Sequence, residues 1–263
     1  MSPEDGAIQW DRDEFVGTAL IDRPARRNAL STALCDEIRS NLEANRDLRA
    51  VVVSGTGDRA FCSGADLAQR AGDIGGIAHG GGDSFRPAFD RLLGEIVEFP
   101  APVIAAVNGA ALGAGMQLAV ACDLRVVAPK ATFGIPAGRL GVLLSAINVE
   151  RLVRAVGPPM ARDVLLTARV LDADEAAFVG LVQRSADDAL VAAQELGAEI
   201  AALAPLSVRG HKMMLGRVDA SSTLSSTELR SLAELELAAF ESDDLQEGLA
   251  AFGDKRKPRF TGS

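Results

Sequence analysis

PVIAAVNGAALGAGMQLAVACDLR, residues 102–125, governs how the rest of the chain is read. Val103 to Val107 is β-branched and alanine-rich, as in a strand buried on both faces, and Asn108-Gly109 breaks it. Apolar residues then return at helical spacing through Leu112, Met116 and Ala119 as far as Cys122, so the stretch predicts a strand, a turn and a helix. Gly109, Gly113 and Gly115 gather around the turn, where a missing Cβ lets a ligand approach the main chain. The N–H groups of the first helical turn would there form a site for negative charge. An ordinary buried βα unit with glycines for close packing has the same pattern, and the stretch alone does not choose. Pro100 to Cys122 is uncharged and long enough for a membrane span, but the Asn-Gly break and the glycines speak against one, and none is expected.

Composition narrows the classes. With 263 residues, 48% of them hydrophobic, the chain can bury one substantial core, or a core plus a small module. Its 27 basic and 36 acidic residues give a net charge of −9, a field that repels nucleic acid, so no nucleic-acid partner is expected. Cys35, Cys62 and Cys122 are odd in number and far apart, as reduced thiols are, which points to the cytoplasm. The opening MSPEDGAIQWDRDE has neither a basic n-region nor an apolar core, in keeping with that expectation.

Upstream of the central stretch, Ile8–Trp10 and Phe15–Ile21 read as a hairpin, followed by the basic loop Arg23-Pro24-Ala25-Arg26-Arg27. Ser31 is placed to cap a helix whose apolar face is Leu34, Ile38 and Leu42, and Ala50–Ser54 is a buried strand. Gly55-Thr56-Gly57-Asp58-Arg59-Ala60 matches a dinucleotide fingerprint but leads into extended Phe61-Cys62-Ser63-Gly64 rather than a helix, so it reads as a turn. A new helix is expected from Ala65-Asp66-Leu67. Glycine-rich 72–82, holding His79, reads as a surface loop, and Phe85–Phe99 as a helix. No GxSxG, no triad around His79 and no metal-ligand spacing is present, so no metal and no cofactor are expected.

Downstream, Asp123–Ala128 is a strand, and Thr132–Pro136 leads to a second glycine-bearing turn ending at Ser145, read as the cap of a helix with Ile147, Val149, Leu152 and Val153. Helical stretches near Pro159–Thr167 and Asp172–Val179 precede a short strand at Leu181–Gln183. From Ser185 the pattern is helical, with capping boxes at Ser185/Asp188 and Ser225/Glu228. Three apolar faces follow: Leu190, Leu196, Ile200 and Leu203, then Leu229, Leu232, Leu235 and Phe240, then Leu245, Leu249 and Phe252. The chain thus divides into a core at 1–200 and a helical module at 201–263, ending in Lys255-Arg256-Lys257-Pro258-Arg259. That cluster reads equally as a solvated tail or as a phosphate-binding group.

RPARRNALS at 23–31, AFCSGADL at 60–67, PVIAAVNGAALGAGMQLAVACDLRVVA at 102–128, ATFGIPAGRLGV at 131–142 and the DKRKPRF tail together resemble the crotonase superfamily, the enoyl-CoA hydratase/isomerase family, over nearly the whole chain. The resemblance implies an α/β fold, a crotonase-like spiral of ββα units with a C-terminal α-helical trimerisation module, assembled as trimers or dimers of trimers. It implies an acyl-CoA partner and a place in fatty acid metabolism. Two backbone N–H groups, matching Ala65 and Ala114, would hold the thioester carbonyl. Coenzyme A would lie near Arg26, Arg27, Ser63, Asp66, Leu67 and Lys257, the last from a neighbouring subunit, and Gly113, Pro136 and Leu140 would line the acyl pocket.

An enolate places charge on the thioester oxygen, and a preorganised donor is worth on the order of 10²–10³ in rate whatever side chain it carries. The family usually has glycine at the place of Ala114, and alanine keeps the N–H. The two hydratase glutamates correspond here to Gln117 and Ala137, and an isomerase acid position to Ser145, none of which exchanges a proton at neutral pH. The expected function is therefore acyl-CoA binding with weak or absent hydratase activity. The alternative is an active isomerase, hydratase or thioester hydrolase that recruits Asp66, Asp83, Asp90 or Glu150.

Overall fold

The computed structural model describes residues 6–67, 84–220, 227, 230–231, 234, 238, 241–254 and 256–263. The first half contains β1 (Ala7–Asp13), β2 (Val16–Asp22), a 3-10 turn at Pro24–Arg26, α1 (Thr32–Ala44), β3 (Ala50–Gly55), β4 (Ala60–Cys62) and α2 (Phe85–Glu98). Next come β5 (Val103–Val107), β6 (Ala110–Leu112), α3 (Ala114–Ala121), β7 (Leu124–Val127), β8 (Thr132–Gly134) and a 3-10 turn at Pro136–Arg139. The remainder is α4 (Ala146–Thr167), β9 (Val170–Asp172), α5 (Ala173–Phe178), β10 (Arg184–Ser185), α6 (Ala189–Ala201), α7 (Pro205–Ala220) and α8 (Asp243–Asp254).

Two sheets share the strands. One runs β1-β2-β3-β5-β7-β10, parallel after the opening antiparallel hairpin, and the other runs β4-β6-β8-β9, parallel except for its last pair. The pairs β3/β4, β5/β6 and β7/β8 each place one strand in the large sheet and the next in the small one before the chain turns into helix, which makes a spiral of ββα units. Alternate residues serve two cores, as the two-residue period of a strand requires. Val51, Val53, Val103, Ala105 and Val107 pack with Leu34 and Ile38 of α1 and Leu92 and Ile96 of α2. Val52, Ile104, Ala106 and Val126 pack with Ala189, Ala193 and Leu196 of α6. Burial on both faces is why these strands read as continuous apolar runs.

The Asn108-Gly109 break is fastened to the preceding layer, because the Asn108 amide donates to the carbonyls of Gly55 at 2.7 Å and Gly57 at 2.6 Å. Ser31 caps α1 as expected, its hydroxyl accepting from Leu34 N at 3.2 Å.

Four local expectations are corrected. The central helix begins at Ala114 rather than Leu112, because Ala110–Leu112 is a strand held by partners distant in sequence, with Ala111 opposite Phe133 and Leu112 opposite Gly134. Ser145 occupies the cap position of α4 with extended torsions, but its hydroxyl makes no cap bond. Leu181–Gln183 is not a strand: Leu181 is fully buried and its N–H bonds to Ala176 O at 2.9 Å, so pairing starts at Arg184. Ser185 is therefore in β10, and Asp188 alone caps α6, accepting from Leu190 N at 3.0 Å and Val191 N at 3.1 Å.

The C-terminal elements fold back on the chain. Lys212 of α7 donates to Ile96 O and Ala101 O and pairs with Asp123 at 2.7 Å. Asp244 of α8, 2% exposed, accepts from the N–H groups of Thr261 and Gly262. The 72–82 loop with His79, Asp83, the Ser225/Glu228 box, the face Leu229, Leu232, Leu235 and Phe240, Lys255 and the Phe252 side chain lie outside the described residues. Among the described residues no single helix is long and apolar enough to cross a membrane.

Candidate active site

The first wall of the site comes from the loop after β4. In the parallel bridge between Leu30 and Ala65, Leu30 donates to Gly64 O and accepts from Asp66 N, both at 2.8 Å. The flanking residues thus use both bonds, and the N–H of Ala65 points away from Leu30. The second wall is the start of α3. Gly113, with φ 56 and ψ −113, turns the chain out of β6, and Ala114 follows as the first helical residue, whose N–H has no partner within the helix. The walls are close. A Cβ on Gly64 would lie 3.9 Å from Ala114 N, and one on Gly115 would lie 1.9 Å from Cys62 O, so only glycine lets α3 approach β4 this closely.

These two backbone positions open on one cavity of about 140 Å³, room for on the order of ten waters. Ser63, Ala65, Leu67, Gly113, Ala114, Gln117, Pro136, Ala137, Leu140 and Ser145, all singled out from the sequence, line it. Phe85 and Phe89, with ring centroids 5.3 Å apart, form part of its apolar wall. The Gln117 amide is drawn back onto Gly113 O at 3.2 Å. The Ser145 hydroxyl is buried with no hydrogen-bond partner among the described residues.

Arg26, Arg27, Asp66 and Lys257 are not on the cavity wall. Arg26 and Arg27 are exposed, on a loop joined to the wall by Ser63, whose N–H donates to Arg27 O at 3.0 Å and whose hydroxyl donates to Arg26 O at 3.3 Å. The Asp66 carboxylate pairs with Arg23 at 2.6 Å, and both side chains are nearly buried. Lys257 is exposed, and its carbonyl accepts from Arg256 at 3.4 Å.

Sequence reading missed Arg86 and Asn148, which also line the cavity. Asn148 had a signal: with Leu152 and Val156 it forms the buried stripe of α4, whereas the apolar Ile147 is half exposed. A polar residue in a buried stripe needs a partner. Its amide donates to Asp90 at 3.1 Å, and its oxygen accepts from Arg151 at 2.9 Å. Burial holds the Arg151 guanidinium below its ordinary value, opposed by the charge of Asp90. Burial also pushes the Cys62 and Cys122 thiols up to about 12, so neither supplies a thiolate at neutral pH.

Residues 12–263 match the family model for enoyl-CoA hydratase/isomerase. The chain belongs to that family, within the crotonase superfamily. Among enoyl-CoA hydratase/isomerase relatives, it is 37% identical over 259 residues to a Mycobacterium bovis protein named "Probable enoyl-CoA hydratase echA8", covering 97% of each chain. It superposes on an enoyl-CoA hydratase/carnithine racemase from Magnetospirillum magneticum with a TM-score of 0.88, at 34% identity over 97% of this chain and 96% of that one. An enoyl-CoA hydratase from Bacillus anthracis gives a TM-score of 0.85 at 31% identity, covering 97% and 99%. The spiral of ββα units is the crotonase fold.

Proposed function

We propose that this enoyl-CoA hydratase/isomerase family protein binds a fatty acyl-CoA thioester, its carbonyl oxygen between the N–H groups of Ala65 and Ala114, and that it hydrates enoyl-CoA weakly or not at all. One observation carries the reading: the cavity that takes in both donor positions also takes in Gln117, Ala137 and Ser145, the three places where the family resemblance looks for an acid. Donors without those acids stabilise a charged oxygen but do not activate water. The phosphates of coenzyme A are assigned to Arg26 and Arg27, which stand on the loop joined to the wall at Ser63. Lys257 is assigned to the site of a neighbouring subunit, within a trimer or dimer of trimers assembled through residues 201–263 in the cytoplasm.

The test is hydration of crotonyl-CoA by protein free of host hydratase. The expected rate is several orders of magnitude below an ordinary turnover of about 10 s⁻¹. Turnover at that ordinary rate would overturn the weak-hydratase reading.

A further inference from the structure

Gln117, Ala137 and Ser145 leave the cavity without an acid at the family positions, yet it does contain a carboxylate. Asp90, on α2 beside Phe89, is the only acidic residue among the described residues of the wall. The other carboxylates that the sequence offered in its place are engaged elsewhere or not described: Asp66 is paired with Arg23, Glu150 with Arg154 on the surface of α4, and Asp83 lies outside the described residues.

Asp90 is held from one side only. Its Oδ1 accepts from the amide of Asn148, which is 5% exposed and fixed in turn by Arg151. Among the described residues Oδ2 makes no hydrogen bond. A carboxylate with one oxygen anchored by a buried amide and the other without a hydrogen bond among the described residues, in a wall that joins Phe85, Phe89 and leucines to Arg86 and faces the charge of Arg151, has the form of a proton acceptor presented to a bound molecule.

We infer that Asp90 is a catalytic proton-transfer residue, and that the reaction it supports is a 1,3-proton shift in a 3-enoyl-CoA. The inference rests on the proposed binding of an acyl-CoA thioester at Ala65 and Ala114. Asp90 Oδ2 takes a proton from C2, the C2–H electron pair spreads over the dienolate and places charge on the thioester oxygen, and the two N–H groups stabilise that charge. The protonated Asp90 returns the proton to C4, and the double bond moves from C3=C4 to C2=C3. No water, oxidant or second acid is consumed. Hydration differs because a water must be activated while a proton is delivered to carbon, a task for which the family uses two carboxylates. A single carboxylate suffices for removal and return of one proton. With a saturated acyl-CoA the same group removes and restores the C2 proton, which exchanges with solvent.

Three measurements on the full-length protein test this. The first is calorimetric binding of butyryl-CoA, the second deuterium incorporation at C2 of butyryl-CoA in heavy water followed by proton NMR, and the third conversion of 3-hexenoyl-CoA to the 2-enoyl isomer. Wild type is expected to bind, exchange and isomerise. Asp90→Asn should lower both rates at least about 100-fold, Asp90→Glu should retain a measurable part, and Asn148→Ala, which frees the anchored oxygen, should lower kcat about tenfold with KM little changed. Wild type that binds butyryl-CoA without exchange or isomerisation overturns the inference and leaves the binding reading standing. Retention of the wild-type rate by Asp90→Asn with an unchanged melting temperature also overturns it. Absence of binding removes both.

Discussion

Arg23 and Asp66 form a 2.6 Å ion pair beneath the loop that carries Ala65, with the two side chains only 8% and 11% exposed. The pair links the 3-10 turn after β2 to the residue next to one proposed donor. The turn is fixed separately by Asn28, whose oxygen accepts from Arg23 N at 3.1 Å and whose amide donates to Thr56 O and Ala60 O. Removing one partner takes the opposite charge away from a nearly buried ion, and breaking such a pair costs about 3–5 kcal/mol, whereas an apolar pair can restore much of the loss. Arg23→Met should therefore lower unfolding stability by roughly that amount in urea, and Arg23→Met with Asp66→Leu should recover most of it. Equal stability of wild type and the single variant would show that the pair does not hold the loop.

The Arg26–Arg27 loop gives a second expectation. Both guanidiniums are exposed in a chain of net charge −9, so attraction to the coenzyme A phosphates is local and screened by salt. Acyl-CoA affinity should fall as ionic strength rises, and Arg26→Ser with Arg27→Ser should flatten that dependence. An unaltered salt dependence in the double variant would place the phosphates elsewhere.

Gln117→Glu together with Ala137→Glu should raise crotonyl-CoA hydration more than either change alone. Water activation and proton delivery are linked roles, each worth about 10²–10⁴. The carboxylate introduced by Gln117→Glu also has no proton to donate, so the bond that now draws the amide of Gln117 onto Gly113 O is lost and the side chain is freed for the cavity. Additive small gains from the two single variants would show that the new carboxylates do not act on one substrate.

Acid should loosen the C-terminal tail. Arg256 and the N–H of Arg259 bond the Glu247 carboxylate and hold it down to about 2 from its ordinary 4.5. A carboxylate lowered in the folded state stabilises above its unfolded value, so this contribution is complete above about pH 4.5 and is lost as pH falls toward 2. The protection of the Arg259 amide, its exchange taken relative to the intrinsic rate at each pH, should fall over that window, and Glu247→Gln should show the lower protection at neutral pH. Protection that does not change with pH in wild type would remove Glu247 from the role.

Much of this arrangement is legible in the sequence because the deciding residues are adjacent. The β5 strand, its Asn-Gly break and the glycines that admit α3 lie within one short run, and ten of the residues singled out beforehand meet at one cavity. Features made by distant partners are not legible. Ala110–Leu112 is a strand only because Ala60–Cys62 and Thr132–Gly134 flank it, and helical spacing at Leu112 and Met116 conceals this. The Asp90–Asn148 contact joins residues 58 apart, and the polar residue in the buried stripe of α4 was its only local trace. Ser145 has the residue type and backbone of a cap, but its hydroxyl is turned elsewhere, and side-chain torsion cannot be read from composition.

The central claim, that main-chain donors hold a thioester, is tested most directly by titrating butyryl-CoA into wild type and Ala114→Pro side by side. Proline is tolerated at the first position of a helix and removes the N–H there, its ring carbon taking the place of the hydrogen. Wild type should bind with a Kd between about 1 μM and 1 mM, and loss of one donor, a hydrogen bond worth about 0.5–1.5 kcal/mol, should weaken binding about twofold to tenfold. No heat of binding from wild type at low salt, or equal affinity in a folded Ala114→Pro, would contradict the account.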